Sequence, residues 1–154
     1  MTMELELIRK YRDRDILDGI LKMNGRVLCD TSENAYYALK PGRYPIERRY
    51  CPQYNQHVPL VRMPGNDGEK DGMRCVCCAA CLPLRENNIN TPLPGYCPQI
   101  KMGNGIHNRR DGSIIIGTRI APGALKEPAL PYGKLTERLR KLASRGTDVT
   151  LIIR

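Results

Sequence analysis

The chain contains no Phe and no Trp, and its 154 residues include only two His. Its eight Tyr are the only aromatic side chains, so the core has to be aliphatic, with tyrosines at its rim where each hydroxyl can stay wet. No apolar run approaches the roughly 18 residues of a membrane-spanning helix. A continuous apolar stretch of the kind that heads a signal peptide is also missing, because Met1–Lys10 alternates acidic and apolar residues. A cytoplasmic location follows as the expectation, and thiols or metal ligands are then expected of the seven Cys ahead of disulfides. Internal repeats and domain boundaries are lacking too. Residues 1–154 read as one domain, of a length that can bury a core without staples.

What is present begins with charge. Lys and Arg number 25 against 16 Asp and Glu, a net charge of +9. That balance suits anionic partners such as nucleic acid, phosphorylated polymers or a membrane surface. Nucleic acid is not the favoured partner, since no recognition motif or set of stacking aromatics accompanies the charge. The basic residues of the last helix (Lys134, Arg138, Arg140, Lys141, Arg145) spread around its solvent arc instead of forming a stripe.

Period-two patterning dominates the first third. Met3, Leu5 and Leu7 alternate with Glu4 and Glu6. Ile16–Met23 and Arg26–Asp30 flank Asn24-Gly25, a strong hairpin signal. Pro41-Gly42 turns the chain into another short strand, and His57–Met63 is a further one that Pro59 confines to an edge. Ser113–Gly117 is a short buried strand. A helix is expected over Tyr132–Arg145, with Leu135, Leu139 and Leu142 on one face and Gly146 ending it. Val149, Leu151 and Ile153 then mark a terminal strand suited to pairing with the first. The expected fold is mainly β within the α+β class: an antiparallel sheet or partly closed barrel with one C-terminal covering helix.

Residues 64–98 interrupt this order with a long Cys-rich loop or insertion. Cys75, Cys77, Cys78 and Cys81 lie in Cys-Val-Cys-Cys-Ala-Ala-Cys, and Cys97 precedes Pro98. The two C-x2-C pairs let thiolates meet one tetrahedral ion at about 2.3 Å, so Cys75, Cys78, Cys81 and Cys97 are candidate ligands of a structural zinc. The same spacing with a distant Cys-Pro also fits an iron–sulfur cluster, and unligated or disulfide-linked cysteines remain a third reading. A closed four-thiolate site would support folding rather than catalysis. Cys29, inside a strand, reads as buried filler.

Gly103–Gly117 is the most function-like stretch. Glycines interleaved with Asn104, Asn108 and Asp111 permit close approach of backbone to a ligand, which makes Gly103, Asn104, Asp111 and Gly112 candidate ligand-binding residues. His107, Asp111 and Ser113 are residue types of nucleophilic hydrolysis, with Ser113 as nucleophile and His107 as base. The same residues also make an ordinary hairpin turn.

Ile100-Lys101-Met102-Gly103-Asn104, followed by Asp111-Gly112-Ser113-Ile114-Ile115-Ile116-Gly117, resembles a bacterial and bacteriophage domain family of unknown function. That family reads Ile-His-x-Gly-Asn and then Gly-Cys-Ile-x-x-Gly. The likeness extends to the opening Leu-x-Leu-x-Arg strand, to Cys29-Asp30-Thr31 with Glu33, to Leu39–Ile46 and to the closing helix and strand. The family's His and Gly-Cys pair is similar to the active-site pattern of L,D-transpeptidases, which cross-link peptidoglycan peptides through an acyl-enzyme on a Cys thiolate. Here Lys101 stands at the His position and Ser113 at the Cys position. The resemblance thus implies a domain that binds a peptide-like or cell-wall ligand without turning it over. A zinc-clipped protein-interaction module and a serine-based hydrolase or acyl transferase are the alternatives.

Overall fold

The computed structural model describes residues 2–51, 55–62, 74–75, 96–103 and 112–154. Eight strands form a curved sheet that nearly closes on itself. They are β1 (Thr2–Asp13), β2 (Ile16–Met23), β3 (Arg26–Asn34), β4 (Gly42–Cys51), β5 (Gln56–Val61), β8 (Ile100–Met102), β9 (Ile114–Ala121) and β11 (Asp148–Ile153). Two further short strands, β6 (Arg74–Cys75) and β7 (Tyr96–Cys97), pair only with each other, and β10 (Ala124–Lys126) folds back on β9.

The order around the sheet is β9, β3, β2, β1, β11, β4, β5. Most neighbours are antiparallel. The exceptions are β1 with β11 and β8 with β9, both parallel. The first half of β9 gives its free edge to β8, and the second half gives it to β10. Closure comes at β5 and β8, through the bridge Leu60↔Gln99 and a hydrogen bond from the Val61 N–H to the Pro98 carbonyl at 2.7 Å. Pro59, which lacks an amide hydrogen, therefore sits on the last strand of that order, laddered along its length on the β4 side only, as the edge expectation required.

The hairpin at Asn24-Gly25 carries φ of 55° and 76°, the left-handed pair that a tight two-residue turn needs. Its return strand runs four residues past the expected Asp30 to Asn34, because β9 supplies a second ladder there. β9 likewise runs past Gly117 to Ala121, extended by its hairpin with β10.

The single described helix, α1 (Ala129–Ser144), starts three residues earlier than its leucine pattern suggests. Proline is compatible with a first helical turn, so Pro131 does not delay it. At its other end Gly146 has φ of 69°, and the Gly146 and Thr147 amides bond back to Ala143 and Leu142. Tyr132, Leu135, Leu139 and Leu142 face the concave side of the sheet and join Leu5, Leu7, Leu21, Ile100, Ile114, Ile116, Leu151 and Ile153 in one core. Each fully buried aliphatic side chain there contributes on the order of 1.5–3 kcal/mol. No described helix is long and apolar enough to cross a membrane.

Two glycines test this packing in opposite directions. A Cβ on Gly19 would lie 2.3 Å from the Ile8 carbonyl oxygen, whereas one on helical Gly133 would meet nothing within 4 Å. Gly19→Ala is therefore expected to lower stability by about 2 kcal/mol or more. Gly133→Ala is expected to raise it by about 0.5–1 kcal/mol. Urea unfolding midpoints measure both.

Candidate functional site

Alternation along β8 and β9 sorts their side chains. Ile100, Ile114 and Ile116 enter the core, so Lys101, Ile115 and Ser113 belong to the opposite face. The register Lys101↔Ile115 makes Lys101 and Ser113 diagonal neighbours on adjacent parallel strands. Both are buried, at 7% and 0% exposure. The two residues at the family's His and Cys positions thus share one face of one strand pair.

Gln99, itself buried, fixes the start of β9. Its N–H donates to Ser113 Oγ at 3.1 Å, and its carbonyl accepts from the Ile114 N–H at 2.9 Å. Ser113 therefore extends the β8–β9 ladder through its side chain, at the seam where the sheet closes. Gly112, immediately before it, packs tightly on the preceding loop: a Cβ there would come within 3.2 Å of both the Tyr37 carbonyl and Leu39 Cδ2. Gly103 follows β8 directly and is half-buried. Asn104, His107 and Asp111 lie outside the described residues, as do Cys78 and Cys81. Cys75 and Cys97, by contrast, are register partners of β6 and β7.

The same sheet face continues as a buried row that sequence reasoning missed. Ile115 is the register partner of Ser32, and Ser32 of Asp18. Ser32 Oγ donates to Asp18 Oδ1 at 2.7 Å, and the Gly123 N–H donates to Asp18 Oδ2 at 2.9 Å. Arg119 completes the network by donating to Ser32 Oγ at 2.6 Å and lying 3.2 Å from Asp18. Its guanidinium also donates to the Thr31 carbonyl, and its backbone N–H to Asp30 Oδ2. These bonds fasten the β9–β10 hairpin over β2 and β3. A groove of about 380 Å³ opens beside them, between Lys10, Tyr11, Asp30, Arg119 and Pro122. Lys101 and Ser113 do not line it. The one signal available in the sequence was Asp18 within the apolar run Ile16–Met23.

On the concave side lies a second polar centre. Arg9 Nε and Nη2 donate to the two carboxylate oxygens of Glu33 at 2.9 and 2.8 Å, with Glu33 1% exposed. Thr31 Oγ1, also fully buried, has no hydrogen-bond partner among the described residues. Burial pushes the Glu33 carboxyl above its ordinary 4.5, against the opposing pull of Arg9. Burial likewise pushes the Cys29 thiol up to about 12, with Asp30 adding to it, so this cysteine is an inert core residue as expected. The helix cations stay at the surface, where Arg140 pairs with Glu137 at 2.6 Å. That pair holds the Glu137 carboxyl below its ordinary value.

The raised Glu33 value has a definite sign. The folded chain holds this proton more tightly than the unfolded chain. The group therefore favours the fold most below about 4.5 and progressively less as pH rises above it. Arg9→Met removes the guanidinium that holds both carboxylate oxygens and is expected to cost about 3 kcal/mol or more at pH 7.5. The cost should shrink toward pH 4, where Glu33 takes up its proton. Denaturant titrations at the two pH values read the difference.

Comparison with protein-family models, with curated proteins and with solved structures gives no match.

Proposed function

We propose that this chain is a bacterial or phage-encoded domain, similar in plan to L,D-transpeptidases, that binds a peptide-like or cell-wall ligand at the β8–β9 seam without turning it over. The observation that supports this reading is the placement of Lys101 and Ser113 on one face of adjacent parallel strands. Those positions would hold the family's His and Cys. Here they carry an amine and a hydroxyl, and the hydroxyl accepts the Gln99 N–H. A serine without an aligned base is a far poorer nucleophile near neutral pH than a thiolate. A lysine beside it suits a different task, holding a ligand carboxylate as a charge-assisted hydrogen-bond donor. Gly103, half-buried at the end of β8, is the glycine that lets a ligand backbone come close to that floor.

A second reading has its own observation. The same register makes Lys101, a potential proton acceptor, a diagonal neighbour of Ser113, the pair of groups that a serine acyl transferase or hydrolase would need to align. His107 is the alternative base for that chemistry.

Peptidoglycan-derived peptides ending in a free carboxylate are expected to bind, and Lys101→Met to weaken them by about tenfold or more. Intact-mass measurement after incubation with such peptides should show no adduct on the natural chain. The paired change Lys101→His with Ser113→Cys should gain a thioester adduct, the thiolate attacking the last peptide bond and releasing the peptide's terminal amino acid. An adduct on Ser113 of the natural chain, absent in Ser113→Ala, would overturn the binding reading in favour of the serine enzyme.

A further inference from the structure

We infer that the groove between β1 and the β9–β10 hairpin is a separate binding site, one that takes a free α-amino acid with an apolar side chain. Both of its walls have a structural cause. In a regular strand Lys10 and Tyr11 would point to opposite faces of the sheet. β1 is irregular there: Arg9 pairs with Gly19 and Tyr11 with Asp18, which leaves Lys10 without a register partner. Such a bulge re-aims side chains, and here both neighbours line the same groove. The facing wall is Ala121 and Pro122 of the hairpin, which Asp18, Ser32 and Arg119 fasten in place. Ile20 lies between the walls, on β2, as the register partner of both Ile8 and Asp30.

Four charged side chains reach the groove, and only two of them are open to a ligand. Arg119 lies 3.2 Å from Asp18, which is 5% exposed, so that pair is neutralised within the protein. Lys10 is exposed and makes no ion pair among the described residues. Asp30 accepts the Arg119 backbone N–H on Oδ2, while its Oδ1 has no hydrogen-bond partner among the described residues. The open charges sum to zero. Although the whole chain carries +9, this groove therefore suits a ligand with one charge of each sign and not a polyanion. Lys10 donates to the ligand's carboxylate and Asp30 Oδ1 accepts from its ammonium, both as charge-assisted hydrogen bonds. The backbones that carry these two residues stand two strand spacings apart, about 10 Å. The long Lys10 side chain closes that distance to the span of two charges joined through one carbon. Tyr11, Ile20, Ala121 and Pro122 make the remaining surface apolar, and the ligand's side chain lies on them. A volume of about 380 Å³ is at the small end of ligand pockets and fits an amino acid better than a long peptide. Lys101 and Ser113 do not line the groove, so this inference is independent of what the seam binds.

Because the chain has no Trp, bound L-tryptophan can be followed by its own fluorescence. Titration with the full chain should raise its anisotropy saturably, and L-leucine should compete. Lys10→Met and Asp30→Asn are each expected to weaken L-tryptophan about tenfold or more. Both variants should fold, since Lys10 is exposed and Asn keeps an oxygen for the Arg119 N–H. Blocked ligands assign the charges. L-Tryptophanamide lacks the carboxylate and should bind weakly, with no further loss in Lys10→Met. N-acetyl-L-tryptophan lacks the ammonium and should likewise be insensitive to Asp30→Asn. No saturable binding at millimolar L-tryptophan would overturn the inference. So would blocked ligands that bind as tightly as L-tryptophan, or an affinity unchanged in both variants. Binding lost in Lys101→Met but kept in both groove variants would place the ligand at the seam and overturn it too.

Discussion

The pairing of β1 with β11 holds the two ends of the described chain in the middle of the sheet. Thr2 lies against Asp148 and Leu7 against Ile153, in parallel, with β2 on one side and β4 on the other. Met3, Leu5 and Leu7 meet Val149, Leu151 and Ile153 within the core, and α1 packs onto that face. Parallel neighbours cannot be joined by a tight turn. Everything between Asp13 and Asp148 is therefore the crossover that this one pairing demands. The helix immediately before β11 brings the last strand back to the first, and the rest of the chain wraps round to close the sheet.

That wrapping sets where chemistry can sit. Among the described residues, the concave side carries aliphatic side chains, Tyr44, Tyr132 and the Arg9–Glu33 pair. The opposite face of β8, β9, β3 and β2 carries the row from Lys101 through Ile115 and Ser32 to Asp18. At one end of the row Asp18, Ser32 and Arg119 satisfy one another and hold a hairpin in place. At the other end Ser113 accepts from Gln99. Burying polar groups in such a row is tolerable because the hydrogen bonds are made, and a lost partner there would cost far more than a lost surface pair.

Much of the fold was legible because local signals agreed. Met3, Leu5 and Leu7 alternate, Asn24-Gly25 has the backbone its turn requires, and Leu135, Leu139 and Leu142 share a helix face. The terminal alternation at Val149–Ile153 even named its partner strand. The strand ends were less legible. β3 beyond Asp30 reads Thr-Ser-Glu-Asn, a polar sequence that becomes strand only because β2 and β9 flank it. The Asp18–Ser32–Arg119 network escaped notice for the same reason: its members are far apart in sequence, and only the register joins them. Lys101 and Ser113 were identified by position within a motif, and their shared face follows from alternation once β8 and β9 are known to be parallel. Spacing could suggest Cys75 and Cys97 as ligands, but their pairing needed the fold.

The closure between β5 and β8 carries a consequence for access. Along every other line of the wall, neighbouring strands are joined by runs of register pairs. Here the described contacts are one bridge, Leu60↔Gln99, and the bond from Val61 to Pro98. Local openings follow the lines with the fewest backbone bonds. Among the described residues, the boundary with the fewest backbone bonds is thus the one beside Lys101 and Gln99, and local opening is expected there first.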